Sequence, residues 1–264
     1  MPEGTCKLCL KTRILQDSHF MPKSSFKRLR DPKSENPNPI VVTPKKTTKT
    51  SKQMKDYLLC AECEDRFNRG GESWMLKMIG HGKRFPLRDR LSVAIPEFKG
   101  DEAVQYSGLK TGIETDKLGY FALSVLWRGA VHEWKGPLGD KPSRLDLGAA
   151  EEPIRRYLLG ETGFPSDVAV IVSICTDRTT REILLQPFPS DGQYGQAFEM
   201  IFLGVHFFIV VGPGMNPVVR DMCCVTSKVN RLFVRDCFDR SRAHYLALAP
   251  TSKRSKDIEQ EWPD

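Results

Sequence analysis

Two Cys-x-x-Cys pairs, Cys6/Cys9 and Cys60/Cys63, are the feature that most constrains how this chain can fold. Four thiolates that arrive as two close pairs can surround one tetrahedral zinc ion, with each pair on its own tight turn. The residues between the pairs would then form a loop that the metal anchors at both ends. His19 lies in that loop. The metal would therefore hold a histidine in place without a large hydrophobic core around it.

Length and composition predict a globular protein. The chain has 264 residues, of which 40% are hydrophobic, and this is enough to bury a core. The sequence has no uninterrupted apolar run of about eighteen residues and no secretory signal pattern, so we expect a soluble cytoplasmic protein without membrane contact. In a reducing compartment, paired cysteines are more often metal ligands than disulfides, which supports a structural Zn²⁺. The remaining cysteines are predicted to be buried thiols: Cys175, Cys223, Cys224 and Cys237.

The positive charge is concentrated in the first part of the chain. The net charge is +7, and residues 1–60 hold thirteen Lys and Arg against five Asp and Glu, a balance of +8 that leaves −1 for the remainder. A basic segment joined to a nearly neutral one indicates that the first segment contacts a polyanion. We expect nucleic acid as the partner, with DNA favoured over RNA. A solvated basic surface without a partner is the alternative.

The sequence predicts an α+β protein with two main parts. Residues 1–80 form a zinc-binding unit, residues 81–115 an irregular connector, residues 116–250 an α+β domain, and residues 251–264 a polar tail. The zinc-binding unit contains an insertion at residues 31–55 that we expect to be extended and mobile, because its prolines exclude a helix. These prolines are Pro32, Pro37, Pro39 and Pro44.

In the second part, helices precede strands. Apolar patterns predict helices over residues 118–134 and 151–160, followed by β-branched or aromatic strands over residues 167–174, 182–186, 197–202 and 205–211. The last two strands are hinged at Leu203-Gly204. The first two strands are expected to pair with each other in a mostly antiparallel sheet. We expect this domain to select a substrate or a protein partner, or to mediate self-association.

Two local patterns leave alternatives open. After Cys63, a helix is predicted to begin with acidic residues, to weaken or break at Gly70-Gly71, and to resume through residue 79. Arg128 and His132 lie four residues apart on one face of a later predicted helix. They could form a phosphate-binding or catalytic pair, and a purely structural polar role is the alternative.

The N-terminal pattern resembles the zinc-stapled HNH (ββα-metal) nucleases. The similarity covers residues 6 to about 72: a Cys-x-x-Cys pair, then His19-x-x-Pro22, then Leu58-Leu59 ahead of a second pair that leads into a helix. The resemblance implies that His19 is a general base, which takes a proton from the water that attacks a phosphodiester. It also implies one divalent ion, Mg²⁺ or Mn²⁺, beside the histidine.

The resemblance implies further site residues. The family commonly has an acid directly before the histidine as a metal ligand, whereas this chain has Ser18, with Asp17 one position earlier. On the helix, Glu64 and Asn68 lie four residues apart on one face, where they would hold the divalent ion beside His19. The asparagine that orients the base in this family would be Asn36 or Asn38.

A basic cluster follows the histidine and is predicted to bind backbone phosphates, with a solvated face as the alternative. Its members are Lys23, Lys27, Arg28 and Arg30. Walker-type loops, dinucleotide fingerprints and nucleophile elbows do not occur in the sequence, which excludes the corresponding enzyme classes.

Three functions remain open from the sequence. The leading hypothesis is a metal-dependent HNH-like endonuclease. The first alternative is a non-catalytic zinc module that binds nucleic acid or protein. The second alternative places the function in the C-terminal domain and gives the zinc unit a purely stabilising role.

Overall fold

A computed structural model of the chain describes residues 1–79, 84–190, 195–239, 242–243 and 252–261. Helices and strands both contribute large parts of the fold, which confirms the predicted α+β class. Among the described residues, the α-helices with defined bounds are α1 (Lys23–Arg28), α2 (Ala61–Phe67), α3 (Ser73–Met78), α4 (Pro86–Ser92), α5 (Thr115–Val131), α6 (Glu151–Leu159), α7 (Pro217–Asp221) and α8 (Lys256–Glu261). In the described residues, no helix is both long and apolar enough to cross a membrane.

The strands form three sheets, with the orders β1-β2-β5, β6-β7-β12-β8-β11-β10-β9 and β13-β4-β3. Their bounds are β1 (Glu3–Thr5), β2 (Thr12–His19), β3 (Ile40–Val42), β4 (Lys46–Lys49), β5 (Lys55–Cys60), β6 (Phe98–Lys99), β7 (Val104–Ser107), β8 (Val168–Cys175), β9 (Leu184–Ser190), β10 (Gln196–Phe202), β11 (Val205–Val211), β12 (Arg231–Arg235) and β13 (Lys253–Arg254).

The first sheet and α2 form a strand-strand-helix unit near the N-terminus. β2 pairs with β1 and β5, both antiparallel, and α2 begins at the residue after β5. The β2–β5 register runs from Leu15 opposite Cys60 to His19 opposite Lys55. α2 packs against both of these strands. His19 is therefore the last residue of β2, at the end of the sheet away from Cys60.

The helix after Cys63 passes through a π-helical turn, Asn68–Glu72, before it continues as α3. Gly70 and Gly71 lie in this turn, against α5. A Cβ atom on Gly71 would lie 2.9 Å from the backbone nitrogen of Phe121, so glycine is what allows the two helices to approach this closely. The prediction that the helix weakens at the two glycines is confirmed.

α5 is the central helix of the fold. It has seventeen residues and is buried on nearly all sides, because the π-helical turn, α3 and α6 contact it as well as β8 and β9. A helix that is apolar all round is a core helix. The predicted helix over residues 118–134 is therefore confirmed, with a start three residues earlier and an end at Val131.

The seven-stranded sheet is antiparallel except where β12 runs parallel to β8. β8 is buried on both faces apart from the half-buried Ile171, as its β-branched sequence indicates. β10 and β11 are joined by the two-residue turn Leu203-Gly204, which has φ values of 50° and 91°. Positive φ at both turn residues matches the twist of a tight hairpin.

The predicted pairing of residues 182–186 with residues 167–174 is wrong. β9 pairs with β10, whereas β8 lies between β11 and β12. The physical reason is that the tight hairpin brings β11 back beside β10, and β11 then takes the edge of β8. Strands that follow each other in sequence are often neighbours, but here the stronger local turn decides the order.

The insertion at residues 31–55 contains no helix, as predicted, but it has more structure than an extended loop. β3 and β4 form an antiparallel hairpin, and β13 from the predicted polar tail pairs in parallel with β4. The hydroxyl groups of Thr47 and Ser252 are 2.6 Å apart, and Ile258 of α8 is buried. Residues 251 and 262–264 of the tail lie outside the described residues.

The predicted connector at residues 81–115 contains regular elements. α4 lies in it, and β6 and β7 form one edge of the seven-stranded sheet. Residues 81–83 lie outside the described residues. One contiguous cluster of buried apolar side chains extends from Cys6 to Leu232. The N-terminal unit therefore shares its core with the sheet.

Candidate functional site

The four N-terminal cysteines come together at one point. Their sulfur atoms all lie within 4.8 Å of one another. Cys6 and Cys9 lie on the turn between β1 and β2, Cys60 ends β5, and Cys63 lies in the first turn of α2. Tetrahedral zinc with Zn–S bonds of about 2.3 Å needs sulfurs about 3.8 Å apart, so the cluster fits a structural zinc ion. Within the described residues, no other group of three or more His, Cys, Asp or Glu side chains could hold a metal.

The surroundings of Cys6 favour a thiolate. Its pKa is lowered to about 4, mainly because the thiol of Cys63 donates a hydrogen bond to it, while burial acts in the opposite direction. The backbone N–H of Cys60 also donates to the Cys6 sulfur, at 3.4 Å. Thiolates are the form that binds zinc, and N–H donors to sulfur support that form.

Arg155 connects the cysteine cluster to the second part of the chain. Its Nη1 donates to the carbonyl oxygen of Leu8 at 2.6 Å, within the first Cys-x-x-Cys turn, and its Nε donates to Glu152 at 2.7 Å. Leu8 itself is fully buried. A residue of α6 therefore holds the Cys6–Cys9 turn in place, and no short-range sequence pattern signals this contact.

His19 is half-buried at the end of β2. Burial is the main factor that lowers its pKa, and the positive charges of Lys23, Lys55 and Arg128 act in the same direction, whereas Asp17 opposes them. A lowered pKa favours the neutral imidazole, which is the form that can accept a proton. Its backbone carbonyl accepts a hydrogen bond from Nη1 of Arg128 at 2.8 Å.

Ser18 and Glu64 meet on the inner side of the unit. Ser18 is buried; its hydroxyl accepts from the N–H of Leu59 at 3.1 Å and lies near the carbonyl of Gln16 at 3.4 Å. Burial raises the pKa of Glu64, while the Ser18 hydroxyl and the charge of Arg128 lower it. The Glu64 Oε1 atom is buried without a hydrogen-bond partner.

The other amide side chains predicted for the site are engaged elsewhere. Asn68 is exposed at the start of the π-helical turn, and its Oδ1 accepts from the hydroxyl of Ser73. Asn36 and Asn38 bond to each other, with Oδ1 of Asn36 3.0 Å from Nδ2 of Asn38. The structure therefore gives Asn68 and Glu64 different environments, the first exposed and the second half-buried.

Arg128 is a buried cation between the strand and the helix of the unit. It belongs to α5 and is only 2% exposed. Its Nη1 donates to His19 on β2, its Nη2 forms an ion pair with Glu72 in the π-helical turn, and its guanidinium lies 5.2 Å from the centre of the Phe67 ring. Its Nε donates to the carbonyl of Ser124 at 3.2 Å.

His132, considered from the sequence as a partner of Arg128, contacts other groups. Its Nε2 lies 3.0 Å from the carboxylate of Asp56, and its ring edge packs against Trp134, whose indole stacks on Phe20. These contacts hold the end of α5 against the start of β5. The alternative of a structural polar role is the one that the contacts of Arg128 and His132 support.

The residues at the implied Mg²⁺ or Mn²⁺ site do not fit such an ion. A divalent ion of this kind needs several converging oxygen ligands. Ser18 offers a hydroxyl that is already bonded to the backbone, Asn68 is exposed and bonded to Ser73, and Glu64 alone offers an unpartnered oxygen. A guanidinium, that of Arg128, already lies close enough to affect the pKa of Glu64.

The four predicted phosphate-binding residues differ in their environment. Lys23, Lys27 and Arg30 are exposed, and the last two line a shallow, open depression together with Pro32. Arg28 instead points inward, where Nη2 donates to the carbonyl of Leu76 at 2.6 Å and burial lowers its pKa. Arg28 therefore anchors α1 to α3, and the other three present positive charge to solvent.

The thiols of the second part are all buried, as predicted: Cys175, Cys223, Cys224 and Cys237. Comparison with known proteins gave no match to a family model, to a curated protein or to a solved structure.

Proposed function

We propose that this protein hydrolyses phosphodiester bonds of nucleic acid, as an HNH-like endonuclease with His19 as general base. The observation that carries the proposal is a half-buried histidine at the end of a strand in a strand-strand-helix unit that four cysteines can hold around zinc. Lys23 and Lys55 lie near this histidine, on the basic N-terminal part of the chain.

The chemistry assigned to His19 is proton removal from water. The imidazole accepts a proton as the water oxygen forms a bond to phosphorus. The bond from phosphorus to the leaving oxygen then breaks, and that oxygen takes a proton from solvent to leave as a hydroxyl group. The positive charges of Lys23 and Lys55 would attract the phosphate and stabilise the negative charge that develops on it. A histidine with a lowered pKa serves this step because it stays unprotonated at neutral pH.

A divalent metal requirement belongs to this proposal only through the resemblance to HNH nucleases. Mg²⁺ or Mn²⁺ would be held by Glu64 and Asn68, and the environments of these side chains do not support that assignment. Cleavage assays should therefore be run with Mg²⁺, with Mn²⁺ and with EDTA, each on zinc-loaded protein.

The test compares wild-type protein with His19→Ala and the control His132→Gln, on supercoiled plasmid, single-stranded DNA and RNA. We expect the wild type and the control to cleave, and the His19 variant to lose about 10²-fold or more of the rate. Zinc content and circular dichroism should be unchanged in both variants. Full cleavage by His19→Ala would reject the assigned base.

The second candidate is a non-catalytic zinc module that binds nucleic acid. The observation that favours it is the combination of Ser18 in place of an acid and a buried Arg128 whose charge acts on Glu64. Fluorescence anisotropy at several salt concentrations separates the candidates. Salt-sensitive binding by wild-type protein, without cleavage in any of the metal conditions, would support this candidate and exclude the nuclease.

A further inference from the structure

Three elements converge on one buried point of the fold. Ser18 and Glu64 face each other between β2 and α2, and Arg128 enters from α5 and contacts both sides. Toward β2 it donates to the carbonyl of His19, and toward the helix it pairs with Glu72 above the ring of Phe67. The positive charge between strand and helix is thus supplied by the chain itself.

We infer that the Arg128 guanidinium is the resident cation of the space between β2, α2 and α5, which we call the pocket. The pocket is therefore closed to a divalent ion, and Arg128 positions His19. The inference rests on the proposed function in one respect, because it takes the pocket to be the place of the divalent ion in a nuclease. It goes further because it assigns the cation to a residue of the second part of the chain.

The bonds of Arg128 make it hard to displace. Its three guanidinium nitrogens donate respectively to Ser124, His19 and Glu72. Arginine is always protonated in proteins, and its planar group fixes several donors at once. A divalent ion bound to Glu64 would lie close to this charge in a region of low dielectric constant, where like charges repel strongly. In return it would gain only one unpartnered carboxylate oxygen, that of Glu64.

The contact with His19 gives Arg128 a positioning role. The donor acts on the backbone carbonyl of the histidine and so fixes the end of β2 relative to α5. Trp134 reinforces the position of this end of α5, since its Nε1 donates to the carbonyl of Arg128 at 2.7 Å. The contact of Arg128 is with the backbone of His19 and not with its imidazole ring, so we assign Arg128 no proton-transfer role.

The test measures Mn²⁺ binding to zinc-loaded protein by electron paramagnetic resonance. For wild type and Glu64→Gln we expect the same binding curve, since no Mn²⁺ occupies the pocket. One Mn²⁺ bound by the wild type and lost in Glu64→Gln would overturn the inference. For Arg128→Met we expect a new Mn²⁺ site, at least tenfold tighter than any in the wild type, because Glu72 loses its ion partner and becomes available as a second carboxylate with Glu64. This site should be lost when Glu64→Gln is added.

A folded, zinc-loaded Arg128→Met protein that gains no Mn²⁺ would also overturn the inference. Removal of one partner of a buried ion pair is strongly destabilising, so this variant could fail to fold. In that case the comparison of wild type with Glu64→Gln decides alone. Titration of His19 by NMR adds a readout that a merely structural role would not move: loss of the Arg128 charge should raise its pKa.

The binding readout does not depend on cleavage. If the wild-type protein cuts no substrate, the proposed function fails while the Mn²⁺ result still decides the role of Arg128. If the wild-type protein cuts and binds Mn²⁺ through Glu64, the proposed function stands and the inference fails.

Discussion

His19 is half-buried and has two exposed neighbours of opposite charge, Asp17 and Lys55, which form a salt bridge with each other. Lys55 lies opposite His19 in the β2–β5 ladder, so its charge acts at short range. The pKa of the imidazole thus responds to both members of the pair, in opposite directions.

Replacement of Lys55 by Met should raise the pKa of His19. The change removes a charge that lowers this pKa and leaves Asp17, which raises it, without its partner. Asp17→Asn is the matched control and should lower the pKa for the converse reason. NMR titration of the imidazole carbon measures the pKa in both variants. The pH below which any cleavage activity falls should be higher in Lys55→Met and lower in Asp17→Asn. A shift of the same sign in both variants would contradict this account.

Lys27 and Arg28 are adjacent, but they should behave differently when changed to Ala. Lys27 is exposed, so its loss should weaken nucleic-acid binding and reduce the slope of log K against log salt by about 0.9 if it contacts one phosphate. Loss of Arg28 removes the donor to the Leu76 carbonyl and should cost about 1–3 kcal/mol of stability. Anisotropy and urea unfolding measure the two effects. Equal binding losses with unchanged stability would contradict the distinction.

Among the elements, the π-helical turn depends on close approach to α5. Gly71→Ala places a Cβ 2.9 Å from backbone and Cβ atoms of Phe121, which cannot move aside, so we expect about 1–3 kcal/mol of destabilisation. Gly163→Ala is the control, because a Cβ there meets nothing within 4 Å, and it should change stability by less than about 0.5 kcal/mol. Thermal unfolding measures both, and equal stability of the two variants would contradict this packing.

The sequence predicted the elements better than their partners. α5 has a long apolar pattern, and the hairpin turn Leu203-Gly204 is visible in the sequence, because both depend on residues near each other. The place of β9 and the pairing of β13 with β4 depend on competition among distant strands, which local patterns do not encode.

The site residues were likewise predicted only where local patterns determine them. Cysteine spacing predicted the metal cluster because ligand geometry restricts it strongly. The contact of Arg128 with the carbonyl of His19 joins residues 109 positions apart, and only the assembled core creates it. The one available signal was an arginine in the apolar second half of a predicted helix, because a charge buried there needs partners.

At the scale of the molecule, the buried cluster joins the N-terminal unit to the seven-stranded sheet. Two arginines of the second part of the chain bond to the first part. Arg155 donates to the Cys6–Cys9 turn, and Arg128 donates to the end of β2. A metal unit that is packed in this way is part of one cooperative structure.

We therefore expect zinc release and loss of secondary structure to coincide in urea. A metallochromic dye reports the release, and circular dichroism reports the fold, on the same zinc-loaded sample. Coincident midpoints are expected because loss of the metal also unpacks Leu8 and its contact with Arg155. Two separate transitions would show that the N-terminal unit unfolds independently of the sheet.

The pairing of β13 with β4 has a consequence for synthesis on the ribosome. Thr47 and Ser252, which bond across this pair, are 205 residues apart. At about 5–20 residues per second, β4 emerges roughly 10–40 s before its neighbour exists. During that interval the outer edge of β4 lacks a strand partner and is open to pairing with another chain. The finished fold covers this edge with β13.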